Sequence, residues 1–307
     1  MTRHFVTIEE QRSSDLDEIY FLARSPIDDQ LLRGQGVALI FERPSLRTRA
    51  SSSTAVHELG GYATFFSDAE IGVGSRESVE DVGRTLATMY AIAALRVRQH
   101  DIFSRIRAVT NDQLALVNLL SGVAHPTQAV ADVLTIADHF THGDVHALAG
   151  LNVAYVGDAT NVTRSLAVAL LRLGVNVTVG APAGYQLAPG GEEDPSAVAG
   201  PGTLRLTNCA EEAVADANVV YTDAWVSMGL EAESERRRAD LGPFRVDRTL
   251  LGHAERDAVV LHCLPAHRGD EISDDVLDGT TSLVWEQARH RRSAMVGVLR
   301  WIKEEST

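Results

Sequence analysis

The sequence predicts an α/β protein in two halves, each a parallel sheet covered on both faces. Three observations carry this. Apolar runs of strand length alternate with stretches of helical periodicity along most of the chain. Those runs are continuously apolar, as in strands buried on both faces. The alternation pauses across Thr141–Gly150 and then resumes with the same architecture, so the domain boundary is expected there.

In the first half, residues 36–42 (Gly-Val-Ala-Leu-Ile-Phe-Glu) read as a buried strand. A helix follows with Ala55, Val56 and Leu59 on one face, stopped by Gly60-Gly61. Residues 62–66 are the next strand. Ser78 and Asp81 mark the start of another helix, with the stripe Val79, Val82, Leu86 and Met89. Residues 92–97 and 114–118 are further strands, and a helix from Pro126 carries Val130, Val133, Leu134 and Ala137. In the second half, strands are expected at 151–157, 175–180, 218–223 and 258–264. A helix over Val162–Leu173 closes at Gly174. Residues 184–204, rich in glycine, proline and acid, read as a surface excursion, and the charged stretch 229–243 as a mobile loop or short helix. The last helix is expected over 286–303.

Length and charge narrow the function. The 307 residues allow two domains of ordinary size. With 45% hydrophobic and 23% charged residues the composition is that of a globular protein. A net charge of −14 argues against nucleic acid as a partner, and makes any gathering of arginines informative. No apolar run is long enough to span a membrane, and Met1–Phe5 is not the start of a signal peptide. Cys209 and Cys263, the only cysteines, exclude a disulfide framework. A cytoplasmic location without a membrane partner is expected.

Ligands of parallel sheets gather beyond the carboxyl ends of the strands. The unusual polar clusters fall there: 43–49, Arg96, His125, Asp158–Asn161, Asp223–Met228 and His262–Arg268. Six clusters on one edge point to a single large site, although each has a plainer reading. Ser45-Leu46-Arg47-Thr48-Arg49 combines hydroxyls and N–H groups at a helix start with guanidinium forks, which suits a phosphate. A capped helix with solvated arginines reads the same way. Arg96 alone reads as a surface or ion-pair residue, and His125, before Pro126 and Gln128, as a structural contact at a helix start. The Asp223 carboxylate suits an α-ammonium and Asn161 an α-carboxylate, while Asp223 also reads as a loop acceptor or cap. Cys263 has three readings: core thiol, covalent nucleophile or polar wall of a site. Cys263, His262, His267 and His125 match no closed zinc spacing, and no metal is expected.

Together these strings resemble the aspartate/ornithine carbamoyltransferase superfamily, in order and over nearly the whole chain, and its ornithine branch most. The S-T-R-T-R motif corresponds to Ser45–Arg49 and H-P-x-Q to His125–Gln128. D-x-W-x-S-M-G is intact at Asp223–Gly229 and H-C-L-P-A at His262–Ala266, and these two separate the ornithine branch from the aspartate branch. The resemblance implies two doubly wound parallel-sheet domains with the active site in the cleft between them. Residues 1–140 would bind carbamoyl phosphate, with 286–307 packing back on them, and 141–285 would bind the amino acid. The implied reaction moves the carbamoyl group of carbamoyl phosphate to the δ-amine of L-ornithine, giving L-citrulline and phosphate with no cofactor. Ser45, Leu46, Arg47, Thr48, Arg96, His125, Gln128, Cys263, Leu264 and Arg291 are implied for carbamoyl phosphate. Asn161, Asp223, Ser227 and Met228 are implied for ornithine, and Arg96, His125, Asp223 and Cys263 for catalysis. The loop 227–243 would be a lid. A homotrimer or a multiple of trimers is also implied, with a neighbouring subunit reaching the site near Ser75–Glu77.

Three departures stand out. Leu46 replaces the usual threonine of S-T-R-T-R, and Thr160 replaces the first asparagine of a usual pair, leaving Asn161. The usual N-R-L-H-A-Q reads His290-Arg291-Arg292-Ser293-Ala294-Met295. They leave open transfer to another amine (putrescine, an acylated ornithine or a specialised diamino acid) or a non-catalytic paralogue. A nicotinamide-dependent dehydrogenase shares the fold class, but Gly157-Asp158-Ala159-Thr160 is no G-x-G-x-x-G.

Overall fold

The computed structural model describes residues 2–188, 190, 194–198, 200–226 and 231–304. Among these, four strands form one sheet: β1 Gly36–Phe41, β2 Tyr62–Ser67, β3 Ile92–Arg96 and β4 Ala115–Leu120, in the order β2-β1-β3-β4. Five more form a second: β5 Asn152–Val156, β6 Asn176–Gly180, β7 Leu204–Thr207, β8 Val219–Thr222 and β9 Val259–His262, in the order β7-β6-β5-β8-β9. Every pairing in both sheets is parallel. The contacts divide the chain into one compact unit of Met1–Ala131 with Arg289–Thr307 and another of Asp132–Ala288.

In the first unit β1 is buried at every residue and lies between β2 and β3. Its neighbours are reached in opposite directions from it, so the switch point of the winding lies between β1 and β3. Ala38, Ile40, Ala93, Leu95 and Leu116 on these strands pack with Val79, Val82 and Leu86 of the helix Val79–Ala87 and with Ile102, Phe103 and Ile106 of the helix Asp101–Thr110. The helix Val79–Ala87 starts where the sequence predicts, with Ser78 Oγ accepting from the Asp81 N–H at 3.1 Å. Met89 departs from the predicted stripe: the helix has ended before it, and it is 68% exposed. The helix Leu46–Glu58 ends ahead of Gly60, whose φ is 82°. A Cβ there would lie 2.0 Å from the Asp29 carbonyl oxygen, so the turn requires glycine. The chain start is fixed on β4: Phe5 N–H donates to Leu116 O at 2.8 Å, and Leu116 N–H to His4 Nδ1 at 3.2 Å. Arg300, in the helix Val284–Lys303, donates to Leu22 O at 3.0 Å and so ties the chain's last helix to the helix Ser13–Arg24.

In the second unit β5 lies between β6 and β8, and the switch point falls between β5 and β8. Ala154, Val156, Val220 and Val260 on the strands pack with Ala213, Val214, Leu250, Ile272 and Val276. β7 is a strand absent from the sequence reading. It begins at the last residue of the predicted excursion and sits at the sheet edge with Leu206 46% exposed, so it lacks the continuous apolar run of its neighbours. The charged stretch 229–243 contains the helix Ser234–Leu241. No described helix is long and apolar enough to cross a membrane.

Candidate active site

The first unit gathers polar groups at the carboxyl ends of β1, β3 and β4. Ser45 takes an extended conformation (φ −156°, ψ 113°) and caps the helix Leu46–Glu58. Its Oγ accepts from the Thr48 N–H at 3.4 Å and donates to Thr48 Oγ1 at 3.0 Å. Leu46 and Arg47 occupy the first turn, where helix N–H groups lack intrahelical acceptors. The Leu46 side chain is 80% exposed, and as the first residue of the helix it offers a backbone N–H that lacks an intrahelical acceptor.

Thr48 is buried and receives a second hydrogen bond, from Arg291 Nη2 at 3.1 Å. Arg291 Nη1 donates to Gln128 Oε1. One buried guanidinium therefore joins the S-x-R-T-R turn to the H-P-x-Q turn. His125 is also buried, and its pKa is held well below the ordinary histidine range, by desolvation first and then by the positive charges of Arg291 and Arg96. It is a neutral imidazole at pH 7. Arg96, half-buried, ends β3 beside the first unit's switch point. A neutral ring beside two guanidiniums and a helix N-terminus suits an anion that also carries a hydrogen-bonding carbonyl.

The acceptor-type residues belong to the second unit. β5 exits through Gly157 (φ 125°), where a Cβ would stand 3.2 Å from Trp225 Nε1; the buried indole occupies the room of a side chain. Thr160 caps the helix Asn161–Arg172 and donates its N–H to Thr163 Oγ1 at 3.2 Å, so the substituted position still starts that helix properly. Asn161 follows as the first helical residue.

β8 exits into Asp223 and β9 into Cys263, just beyond the predicted strands' true ends. The Cys263 thiol donates to Asp223 Oδ1 at 2.9 Å, and the Ala224 N–H donates to the same oxygen at 2.7 Å. Desolvation lifts the Asp223 carboxyl above the usual carboxylate range, against the opposing pull of His262, Cys263 and the Ala224 N–H.

His262 supports this arrangement from beneath. Its Nδ1 accepts the Leu264 N–H at 2.8 Å, so the other nitrogen carries the proton and donates to Glu271 Oε1 at 3.0 Å. Leu264 is thereby held at φ 60°, a conformation unusual for leucine. Asp223, His262 and Cys263 have ligand-type atoms within 4.8 Å of one another. Both imidazole nitrogens are already used, so this trio does not offer a cation three lone pairs.

Several members of this constellation escaped the sequence reading. Gln287 Oε1 accepts the His262 N–H at 2.9 Å, and Gln287 Nε2 donates to Asp132 Oδ1 at 2.7 Å. Tyr221 OH donates to Asp132 Oδ2 at 3.1 Å. Arg237 donates to Asp158 Oδ2 and, at 2.6 Å, to Trp225 O, and its guanidinium lies 5.0 Å from the Tyr185 ring centre. Only the acidic residue after Gly157 could have flagged the Arg237 pair. Ser227 and Met228 lie outside the described residues.

The folds and clusters define a class: a two-unit parallel α/β protein with a guanidinium-linked cluster suited to an anion in one unit and a buried carboxylate–thiol cluster at the strand ends of the other. Residues 3–138 match the family model for the aspartate/ornithine carbamoyltransferase carbamoyl-P binding domain, and 149–302 that for the Asp/Orn binding domain. The chain belongs to the aspartate/ornithine carbamoyltransferase family. It is 37% identical over 291 residues to an ornithine carbamoyltransferase of Methanocaldococcus jannaschii, covering 93% of this chain and 92% of that one. An anabolic ornithine carbamoyltransferase of Pyrococcus furiosus is 39% identical over 275 residues, or 88% of this chain and 84% of that protein. The solved Pyrococcus furiosus ornithine carbamoyltransferase superposes with a TM-score of 0.89 at 34% identity, covering 98% and 97% of the two chains.

Proposed function

We propose that this protein transfers the carbamoyl group of carbamoyl phosphate to the δ-amine of L-ornithine, giving L-citrulline and phosphate. The observation that carries this is the junction of Thr48, Gln128 and Arg291 beside a neutral His125, in a chain that keeps Asp223–Gly229 intact. Ser45, Arg47, Thr48 and the Leu46 N–H hold the phosphate, with Arg291 completing the cradle. Arg96, His125 and the Thr48 hydroxyl donate to the carbonyl oxygen, where negative charge grows as the amine attacks. Gln128 accepts from the carbamoyl NH₂.

On the acceptor side, Asp223 holds the α-ammonium and Asn161 the α-carboxylate, with Ser227 and Met228 completing the pocket. Cys263 and Leu264 wall the reacting centre. The δ-ammonium, whose ordinary pKa is roughly 10, loses its proton before attack, and desolvation beside arginines favours the neutral amine. A C–N bond forms, the C–O bond to phosphate breaks, and the second amine proton leaves with the phosphate. Holding two small substrates together supplies much of the acceleration. The reading carries with it a homotrimer or multiple of trimers, a cytoplasmic location and a role in arginine biosynthesis.

Purified protein with carbamoyl phosphate is expected to form citrulline from ornithine in preference to putrescine, acylated ornithine and other diamino acids. A preference for one of these moves the acceptor, and no product from any of them ends the enzymatic reading. Cys263→Ser is expected to keep turnover while raising the ornithine KM, as a wall residue would. Complete loss of turnover, with a carbamoylated cysteine trapped in the parent, reverses that role.

A pH effect follows from Asp158. Burial lifts its carboxyl to about 6 even beside Arg237. An acid whose pKa is raised on folding stabilises the fold below its unfolded value, and that contribution is lost as pH rises toward six. Above about 6 the carboxylate instead anchors Arg237, and through it Trp225 O. Binding of a five-carbon amino acid lacking the terminal amine is therefore expected to weaken as pH falls below six. In Asp158→Asn it is expected to be weaker at pH 7, to approach the parent at low pH and to fall less steeply across that window, the remaining slope belonging to Asp223; calorimetry that finds the same slope in both proteins contradicts this.

A further inference from the structure

The helix Leu46–Glu58 is gripped at both ends by consecutive arginines. Arg291 donates to Thr48 in its first turn, and Arg292 Nη1 donates to Glu58 Oε1 at its last residue at 2.6 Å. Thr48 and Glu58 stand about 15 Å apart along that helix, at 1.5 Å per residue. Arg291 and Arg292 therefore reach in opposite directions along it. Sliding the helix Val284–Lys303 either way would stretch one contact or the other. Glu58 Oε2 is buried with no partner among the described residues, so the charge of this carboxylate answers chiefly to Arg292.

We propose that Arg292 and Glu58 are positioning residues for the carbamoyl phosphate half-site: their ion pair sets the depth at which Arg291 meets Thr48 and Gln128. The idea rests on the donor reading given above. It also gives a purpose to Arg292, which stands where leucine is usual in the resemblance. A shift of Arg291 along the helix would misalign its fork with the phosphate without unfolding anything.

Glu58→Gln separates positioning from simple charge. Removing a negative charge near an anion site strengthens phosphate binding by through-space attraction alone, whereas loss of register weakens it. We expect a carbamoyl phosphate KM raised roughly three- to five-fold, the yield of one partly exposed pair, with the ornithine KM unchanged. Arg292→Leu is expected to do the same, Arg292→Lys to fall between, and the charge-swapped double variant Glu58→Arg with Arg292→Glu to restore the parent value. Inorganic phosphate binding, read by calorimetry, should follow the same order without turnover. A parent that forms no citrulline would thus sink the function while this comparison still decides the positioning. Unchanged or tighter phosphate binding in Glu58→Gln, or a lowered melting temperature with unaltered affinity, overturns it.

Discussion

Arg291→Met is expected to lower kcat/KM for carbamoyl phosphate by about 10²–10³-fold, the usual effect of removing one preorganised donor at a site of developing charge. The guanidinium is buried, and it bonds both the Thr48 hydroxyl and the Gln128 side-chain carbonyl. Its loss would remove the charge that the proposed donor site sets against the phosphate, and it removes the bridge between Thr48 and Gln128. Methionine fills similar volume and removes a desolvated charge, but it leaves the buried Gln128 carbonyl and Thr48 hydroxyl oxygen short of a donor, a cost of about 1–3 kcal/mol. A modestly lowered melting temperature is therefore expected beside the much larger fall in activity. Arg291→Lys should recover part of the charge effect but not the two-pronged contact. Steady-state kinetics of citrulline formation checks this; near-parental kcat/KM in the methionine variant removes Arg291 from the donor site.

Asp223→Asn is expected to weaken ornithine use by about 10²–10³-fold in kcat/KM, the scale of losing one partner of a desolvated charge pair, while the KM for carbamoyl phosphate stays near parental. The carboxyl is pushed upward by desolvation, so burial penalises its charged form and a neighbouring ammonium would favour it. Because its folded pKa is raised, any stability it adds exists below the unfolded value and fades as pH climbs. Asparagine, neutral and of the same shape, should therefore melt at the same temperature or higher at pH 7. A loss of function joined to an unchanged or raised melting point marks a group kept for binding. An unaltered ornithine KM would place the α-ammonium elsewhere.

The strands were legible because parallel strands buried on both faces appear as unbroken apolar runs: 36–42 contains Gly36–Phe41, and 92–97 contains Ile92–Arg96. Leu204–Thr207 was not, since an edge strand with an exposed Leu206 and a charged Arg205 carries no such run. The helix Ser234–Leu241, Ser-Glu-Arg-Arg-Arg-Ala-Asp-Leu, shows no apolar stripe; its importance lies in Arg237, which meets Asp158 from 79 residues away. Within the candidate site, polar clusters at strand ends stood out locally. Pairings such as Arg292 with Glu58 or His262 with Glu271 depend on which turn faces which, and nothing in a linear pattern encodes that.

The first unit is made of two stretches of chain, Met1–Ala131 and Arg289–Thr307. On a translating ribosome, the whole of the intervening unit emerges before the segment bearing Arg291 has been added. The first unit's polar cluster must wait, with Thr48 and Gln128 lacking their shared donor, until the residues around Arg291 leave the exit tunnel. A product cut short before residue 291 therefore lacks the guanidinium that joins the two turns. Synthesis past residue 291 thus becomes a condition for assembling the Thr48–Arg291–Gln128 junction, and a polypeptide released before that point holds both turns without their link.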